Sequence, residues 1–223
     1  RGRGIGRALM EVALEHIALR GGMWSVLQVR ADNQRARGLY ERLGFEPVAE
    51  VKDVRLPRIP RTLSVPRSPV LPLRPRRPSD WESEYQLALD CTPVLAQWWQ
   101  PVQRDVFRRG WGSRFGEALA RLVGQQRVIR EGIYDDRRLL AAITLVATHW
   151  GRTHRLRLMV HPHHRGEWEN GLVERALALL AGYPQRPVVV SHPASHVEAI
   201  EALEAHGFHT LRSLVTMRRW MGR

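Results

Sequence analysis

A glycine–phenylalanine pair closes two segments of nearly equal length, and this internal repeat restricts the fold more than any other feature of the 223-residue chain. Gly44-Phe45 ends the first segment and Gly207-Phe208 ends the second. Each begins at an Arg-Gly pair: 44 positions separate Arg1 from Phe45, and 43 separate Arg165 from Phe208. The parts between recur in the same order. In the first segment Leu9, Val12, Ala13, His16 and Ile17 follow helical spacing from Arg7 to about Leu19, and Gly21-Gly22 stops that helix. Trp24–Val29 reads as a short buried strand, and Asn33–Leu43 as a second helix with Ala36, Leu39, Tyr40 and Leu43 on one face. An extended run continues from Phe45 through Val54. The second segment predicts a helix near Leu172–Ala181, a strand at Pro187–Val190, a helix near Val197–Ala205 and a closing strand through Leu211, Leu214 and Met217.

Upstream of the second segment the sequence predicts further elements. Helices are expected near Asp80–Leu89 and Phe115–Leu122, and strands at Val128–Tyr134, Leu139–His149 and Leu156–Val160. Between the two regions, Pro57, Pro60, Pro66, Pro69, Pro72, Pro75 and Pro78 alternate with arginines, a density that excludes helix and central strand and favours extended chain. Residues 57–69 therefore read as a linker, and Val70–Pro75 as the first edge strand of the next unit.

The most suggestive chemistry lies at the start. In Arg1-Gly2-Arg3-Gly4-Ile5-Gly6 the glycines let the backbone turn tightly and approach a ligand closely. Successive N–H groups at the mouth of a helix then face an anion, with the helix dipole in support. Arg1, Arg3 and Arg7 add positive charge suited to a pyrophosphate. As a hexapeptide alone, the same run is equally a basic, glycine-rich terminus.

Taken together with the helices and strands downstream of it, Arg1-x-x-Gly4-x-Gly6 resembles the acetyl-CoA pyrophosphate loop of GCN5-related N-acetyltransferases (GNAT), and Asn33–Phe45 resembles the second motif of that family nearly residue for residue. The resemblance implies an α/β fold: a mixed, antiparallel-to-parallel central sheet flanked by helices. It implies acetyl transfer from acetyl-CoA, as co-substrate, to a primary amine. It places Arg1, Gly2, Arg3, Gly4, Ile5, Gly6, Arg7, Asn33 and Ala36 at the cofactor, and makes Tyr40 the acid that protonates the departing thiolate. On chemistry alone Tyr40 is also a plausible core residue, although a phenol with a pKa of about 10 suits a thiolate of similar basicity. Asn33 also suits the N-cap of its helix.

Against this pattern, residues 1–56 are expected to form the C-terminal half of one GNAT domain, lacking the strand that normally precedes the loop. Residues 70–223 are expected to form a complete second domain with degenerate chemistry. In its loop Glu167 and Glu169 bring two carboxylates to the anion's place, Trp168 and Asn170 replace glycines, His196 replaces the asparagine and Leu203 the tyrosine. This copy is expected to bind acetyl-CoA poorly or not at all.

Composition narrows the partners. The net charge is +13, yet Lys52 is the single lysine among 35 basic residues and the arginines are spread along the chain, which argues against a nucleic-acid face. No stretch reaches the roughly 18 apolar residues of a membrane helix, so a membrane partner is not expected. One cysteine, Cys91, rules out an internal disulfide framework and fits a reducing cytoplasm. His161, His163 and His164, with His192 and His196 at i,i+4 spacing, suggest a metal site, but no matching Cys or carboxylate pattern accompanies them and none is expected. Trp98, Trp99, Trp111 and Trp168 are either core residues or the lining of an acceptor pocket.

Overall fold

A computed structural model describes residues 4–60, 71–108, 126–150 and 152–222. The expected helix over Phe115–Leu122, and the loop residues Arg1, Gly2 and Arg3, lie outside these.

The first repeat forms helix α1 (Ile5–Leu19), strand β1 (Trp24–Arg30), helix α2 (Gln34–Arg42) and strand β2 (Glu46–Leu56). Of the expected edge strand near Val70–Pro75, only β3 (Arg74–Pro75) is paired, against β4. Proline supplies no N–H to extend the ladder. Helix α3 (Trp81–Cys91) and the single turns α4 (Val94–Gln97) and α5 (Arg104–Phe107) come next. An antiparallel meander succeeds them: β4 (Gln126–Asp135), β5 (Arg138–Thr148) and β6 (His154–Val160). The second repeat forms α6 (Glu169–Leu180), β7 (Val188–Pro193), α7 (Val197–Ala205) and β8 (His209–Trp220).

All eight strands join one sheet, in the order β1-β8-β2-β7-β6-β5-β4-β3. Each repeat lends its last strand to the other. β8 lies between β1 and β2, and β2 lies between β8 and β7, every contact antiparallel. Asp53 on β2 stitches this exchange, accepting from Ser191 Oγ on β7 at 2.5 Å and from Arg212 Nε on β8 at 2.6 Å. Burial opposes ionisation of Asp53, but those two donors outweigh it and hold its carboxyl below the usual range.

The one parallel pairing, β6 with β7, covers only His154–Val188 and Arg155–Val189, although β6 runs on to Val160 and β7 to Pro193. The two strands therefore part toward their C-terminal ends, where the loop into α6 begins.

Three apolar clusters hold the fold. The largest joins α6 and α7 to β5, β6, β7 and the end of β2. Another packs α3 and α5 on the opposite face of the meander. The remaining one lies under α1 and α2, with Leu14, Val29, Leu43, Phe45, Val215 and Met217 buried. Val215 and Met217 come from β8, so the core of the first repeat depends on a strand nearly two hundred residues away in sequence.

The helical pattern of α1 was legible, but its inward face differs from expectation. Met10, Leu14 and Ile17 point inward, while Leu9 and Val12 stay exposed, together with Ile5 and Leu19. The helix is apolar on two sides, and spacing alone does not say which side meets the sheet. For α2 the expected face of Ala36, Leu39, Tyr40 and Leu43 does pack into this cluster.

Candidate functional site: two loops on a repeated scaffold

The repeats agree in backbone detail. Gly44 and Gly207 both adopt left-handed conformations, with φ of 80° and 84°. Their N–H groups donate to Glu41 and Glu204 carbonyls at 2.9 Å, and the next N–H groups, of Phe45 and Phe208, reach back to Tyr40 and Leu203 carbonyls. The N-cap residues Asn33 (φ −86°, ψ 68°) and His196 (φ −98°, ψ 75°) have nearly the same conformation. Tyr40 and Leu203, and Asn33 and His196, are thus structural counterparts, as the sequence alignment predicts.

In the first loop Gly4 is the N-cap of α1 at φ 72°, a left-handed conformation that a side chain would strain. No side chain caps this helix and its first turn holds no acidic residue. The leading N–H groups of a helix have no partner within it, and in α1 these belong to Ile5, Gly6 and Arg7. All four residues from Gly4 to Arg7 are exposed. A Cβ built on Gly6 would lie 3.9 Å from Leu39 Cδ2, which places the start of α1 beside α2. Arg7 is directed along the helix: its Nε donates to Glu11 Oε1 at 2.8 Å, an exposed i,i+4 pair.

Asn33 Oδ1 accepts from the Ala36 N–H at 3.1 Å and so caps α2. This bond occupies the acceptor oxygen of Asn33 and the backbone donor of Ala36. Tyr40, one residue beyond Leu39, is half-buried, and its ring meets Phe45 edge-on at 6.0 Å. The structure thus brings Gly6 beside Leu39, the residue before Tyr40, with Asn33 at the start of α2.

The second loop is built differently. Gly166 is left-handed at φ 89°, and Trp168 is the N-cap of α6. Glu167 is exposed beside His164, at 3.2 Å, whereas Glu169 is buried. Trp168 stacks on His164 at 4.7 Å between ring centroids. Trp98 meets Trp24 edge-on at 5.1 Å and joins α4 to β1, while Trp111 lies outside the described residues.

Protein groups account for the remaining suspects. His161 contacts Arg138 at 2.9 Å and accepts from the His163 N–H at 3.3 Å. His192 Nε2 lies 2.9 Å from His196 Nδ1, and His196 Nε2 lies 2.7 Å from Glu169 Oε1. Among the described residues no group of three or more His, Cys, Asp and Glu could hold a metal ion. Burial pushes the Cys91 thiol up to about 11, and its Sγ donates to the Val160 carbonyl at 3.2 Å; this is a packed thiol, not a thiolate nucleophile. Among the described residues no helix is long and apolar enough to cross a membrane.

The Glu169–His196–His192 chain was not foreseen from the sequence. Its available signals were a carboxylate in place of a loop residue and a histidine aligned with Asn33.

Residues 1–45 match the Acetyltransferase (GNAT) family. The mycothiol acetyltransferase of Beutenbergia cavernae is 51% identical over 49 residues, which are 22% of this chain and 16% of that one. Among solved structures, a GCN5-related N-acetyltransferase from Sphaerobacter thermophilus aligns over the whole of this chain and 70% of its own, with 19% identity and a TM-score of 0.62. A tandem GNAT protein from the clavulanic acid biosynthesis pathway aligns over the whole of this chain and 72% of its own, with 18% identity and a TM-score of 0.55. The mixed sheet flanked by helices is the fold of these GNAT structures, and the match to the family itself covers residues 1–45.

Proposed function

We propose that the chain takes part in transfer of an acetyl group from acetyl-CoA to a primary amine, with the first repeat carrying the chemistry. The observation that carries this reading is the start of α1: a left-handed Gly4 before a 15-residue helix that no side chain caps, inside the segment that matches the family. N–H groups at a helix mouth suit a pyrophosphate, so the residues present fit the co-substrate. Gly4, Ile5, Gly6 and Arg7 would hold it, continuing from Arg1, Gly2 and Arg3, and Asn33 and Ala36 would flank its arm.

Acetyl-CoA supplies a thioester whose carbonyl an amine can attack. A thiolate then has to leave, and a proton delivered to sulfur in that step lowers the barrier. Tyr40 is the proposed donor. Its half-buried ring is held by Phe45, and its helix adjoins the loop through Leu39 and Gly6. The second repeat fits a tandem arrangement like that of the clavulanic acid protein. In it the second copy lends β8 to the sheet of the first and carries no chemistry of its own, Leu203 standing where Tyr40 stands in the first.

The test is Tyr40→Phe, assayed by thiol release from acetyl-CoA over a panel of primary amines. Loss of a general acid is expected to lower kcat by about a hundredfold or more, with the KM for acetyl-CoA little changed. An unchanged kcat would remove Tyr40 from the mechanism.

A further inference from the structure

We propose that the second loop, residues 165–170, is an anion-binding turn that the chain has closed with its own ligand: the Glu169 carboxylate occupies the place of a bound anion and is locked there by His196 and His192.

The geometry is that of a liganded site. Glu169 Oε2 accepts from two converging backbone groups, the Gly166 N–H at 2.9 Å and the Trp168 N–H at 3.2 Å. Left-handed Gly166 turns its N–H inward, as such anion nests require. The other oxygen, Oε1, accepts from His196 Nε2 at 2.7 Å. With the Nε2 proton committed to the carboxylate, Nδ1 of His196 is left as an acceptor, and His192 Nε2 donates to it at 2.9 Å. One proton arrangement therefore satisfies the whole chain from β7 through the α7 cap to α6.

Burial makes this arrangement binding on the fold. Glu169 is 2% exposed, His196 3% and His192 4%. A carboxylate so enclosed is strongly unfavourable unless donors surround it, and here three do. Burial raises the Glu169 pKa, but the bonds from His196 and from the backbone outweigh it and the group is held below its usual range. The arrangement also differs from an ordinary capping box, in which the third helical residue reaches back to the cap. Glu169 is the first residue of α6, and its carboxylate accepts from N–H groups outside the helix while an imidazole pair holds its far side.

Comparison with the first loop isolates the change. Asn33 spends its side chain on capping α2, whereas its counterpart His196 makes no side-chain cap bond and turns its ring to Glu169. The first turn of α1 holds no acid; that of α6 begins with one. The packing around this ring pair also lies where β6 and β7 part, with Arg157 and Arg165 near His192. Glu169, His196 and His192 together make the second loop a self-filled one. The inference concerns the second repeat alone and stands whether or not the first turns over acetyl-CoA.

The experiment uses the full chain, inorganic pyrophosphate as the probe, and the backbone amide resonances of Gly166 and Trp168 as the readout. Because signals from Gly4–Arg7 are read separately, failure at the first loop does not confuse the result. In the unaltered protein the Gly166 and Trp168 amides are expected to stay fixed throughout the titration. In Glu169→Ala the same amides are expected to shift saturably as pyrophosphate enters the vacated nest. Glu169→Ser, which removes the carboxylate but keeps a small polar side chain, covers the case in which the alanine variant does not fold; its Gly166 and Trp168 amides are expected to shift with pyrophosphate in the same way. Saturable movement of these amides in the unaltered protein would overturn the proposal, as would a folded variant whose amides ignore the probe.

Discussion

The two helix–strand–helix–strand repeats share a backbone plan and differ in how their first helix is seated. In α6, Leu172, Val173, Ala176, Leu177 and Leu180 are all buried, and the helix packs over β5 and β6. In α1 only Leu14 is fully buried. The strands explain the contrast. β7 has neighbours on both sides, β2 and β6, whereas among the described residues β1 forms an edge of the sheet with β8 beside it. A helix over the middle of a sheet finds strands beneath both flanks; a helix over an edge does not. The loops obey the same division: Gly4–Arg7 are exposed with no acid in the first helical turn, and the second loop is sealed by a buried carboxylate. The comparison teaches that one local scaffold is compatible with a ligand-ready loop or a self-satisfied one, and that a few side chains select between them.

If the repeats depend on one another through strand exchange, damage to β8 should be felt first in β1. Met217 is fully buried in the cluster beneath α1 and α2 and pairs in register with Leu27. Met217→Ala should destabilise the protein by about 2–5 kcal/mol, the usual range for truncating a buried large residue. Denaturant unfolding would measure that loss. Hydrogen exchange should show faster opening at Val26–Val29, even though the substitution lies in the second repeat. Unchanged protection of β1 would mean that the halves fold independently.

How much of this was legible in the sequence depended on the range of the interaction that decides it. Helix α7 was read at the residues it occupies, because alternating apolar positions and a closing glycine are local signals. The α2 face and the Gly-Phe closures were legible for the same reason. The strand exchange was not: nothing near Trp24 announces that Trp220 is its partner. The paired histidines at 192 and 196 were visible as an i,i+4 pattern, but the residue that explains them, Glu169, lies 27 positions from His196. Arg7 shows a local pairing that the sequence also offered: Glu11 lies four residues on, and the two form an exposed ion pair.

The buried imidazoles give the second repeat a pH signature that the first lacks. Burial lowers the His192 pKa to about 3, with His196, Arg165 and Arg157 adding to the effect. In the unfolded chain the same group titrates at its ordinary value of about 6.5. Between those values the unfolded state binds the extra proton, so stability rises with pH and falls as the solution is acidified. The contribution should amount to about 2 kcal/mol between pH 6.5 and pH 5. Unfolding curves across that window, compared with those of His192→Asn, isolate it: the variant should show a shallower slope. Parallel pH profiles for the two proteins would contradict a neutral, enclosed His192.

The smallest expected effect separates the two cap residues. Asn33 accepts from the Ala36 N–H, and replacing a capping asparagine with alanine typically costs about 1 kcal/mol. Asn33→Ala should lower the unfolding free energy by that amount, and Asn33→Ser should recover most of it, because a serine hydroxyl can accept the same bond. His196 sits in the same backbone conformation without a side-chain cap bond, so its contribution runs through Glu169 instead. His196→Ser should therefore fail where Asn33→Ser succeeds: a hydroxyl can cap α7, yet it leaves one oxygen of a buried carboxylate without its donor. If serine were tolerated equally at both positions in denaturant unfolding, the two cap residues would be equivalent, and the contrast between an open and a sealed loop would rest on Glu169 alone.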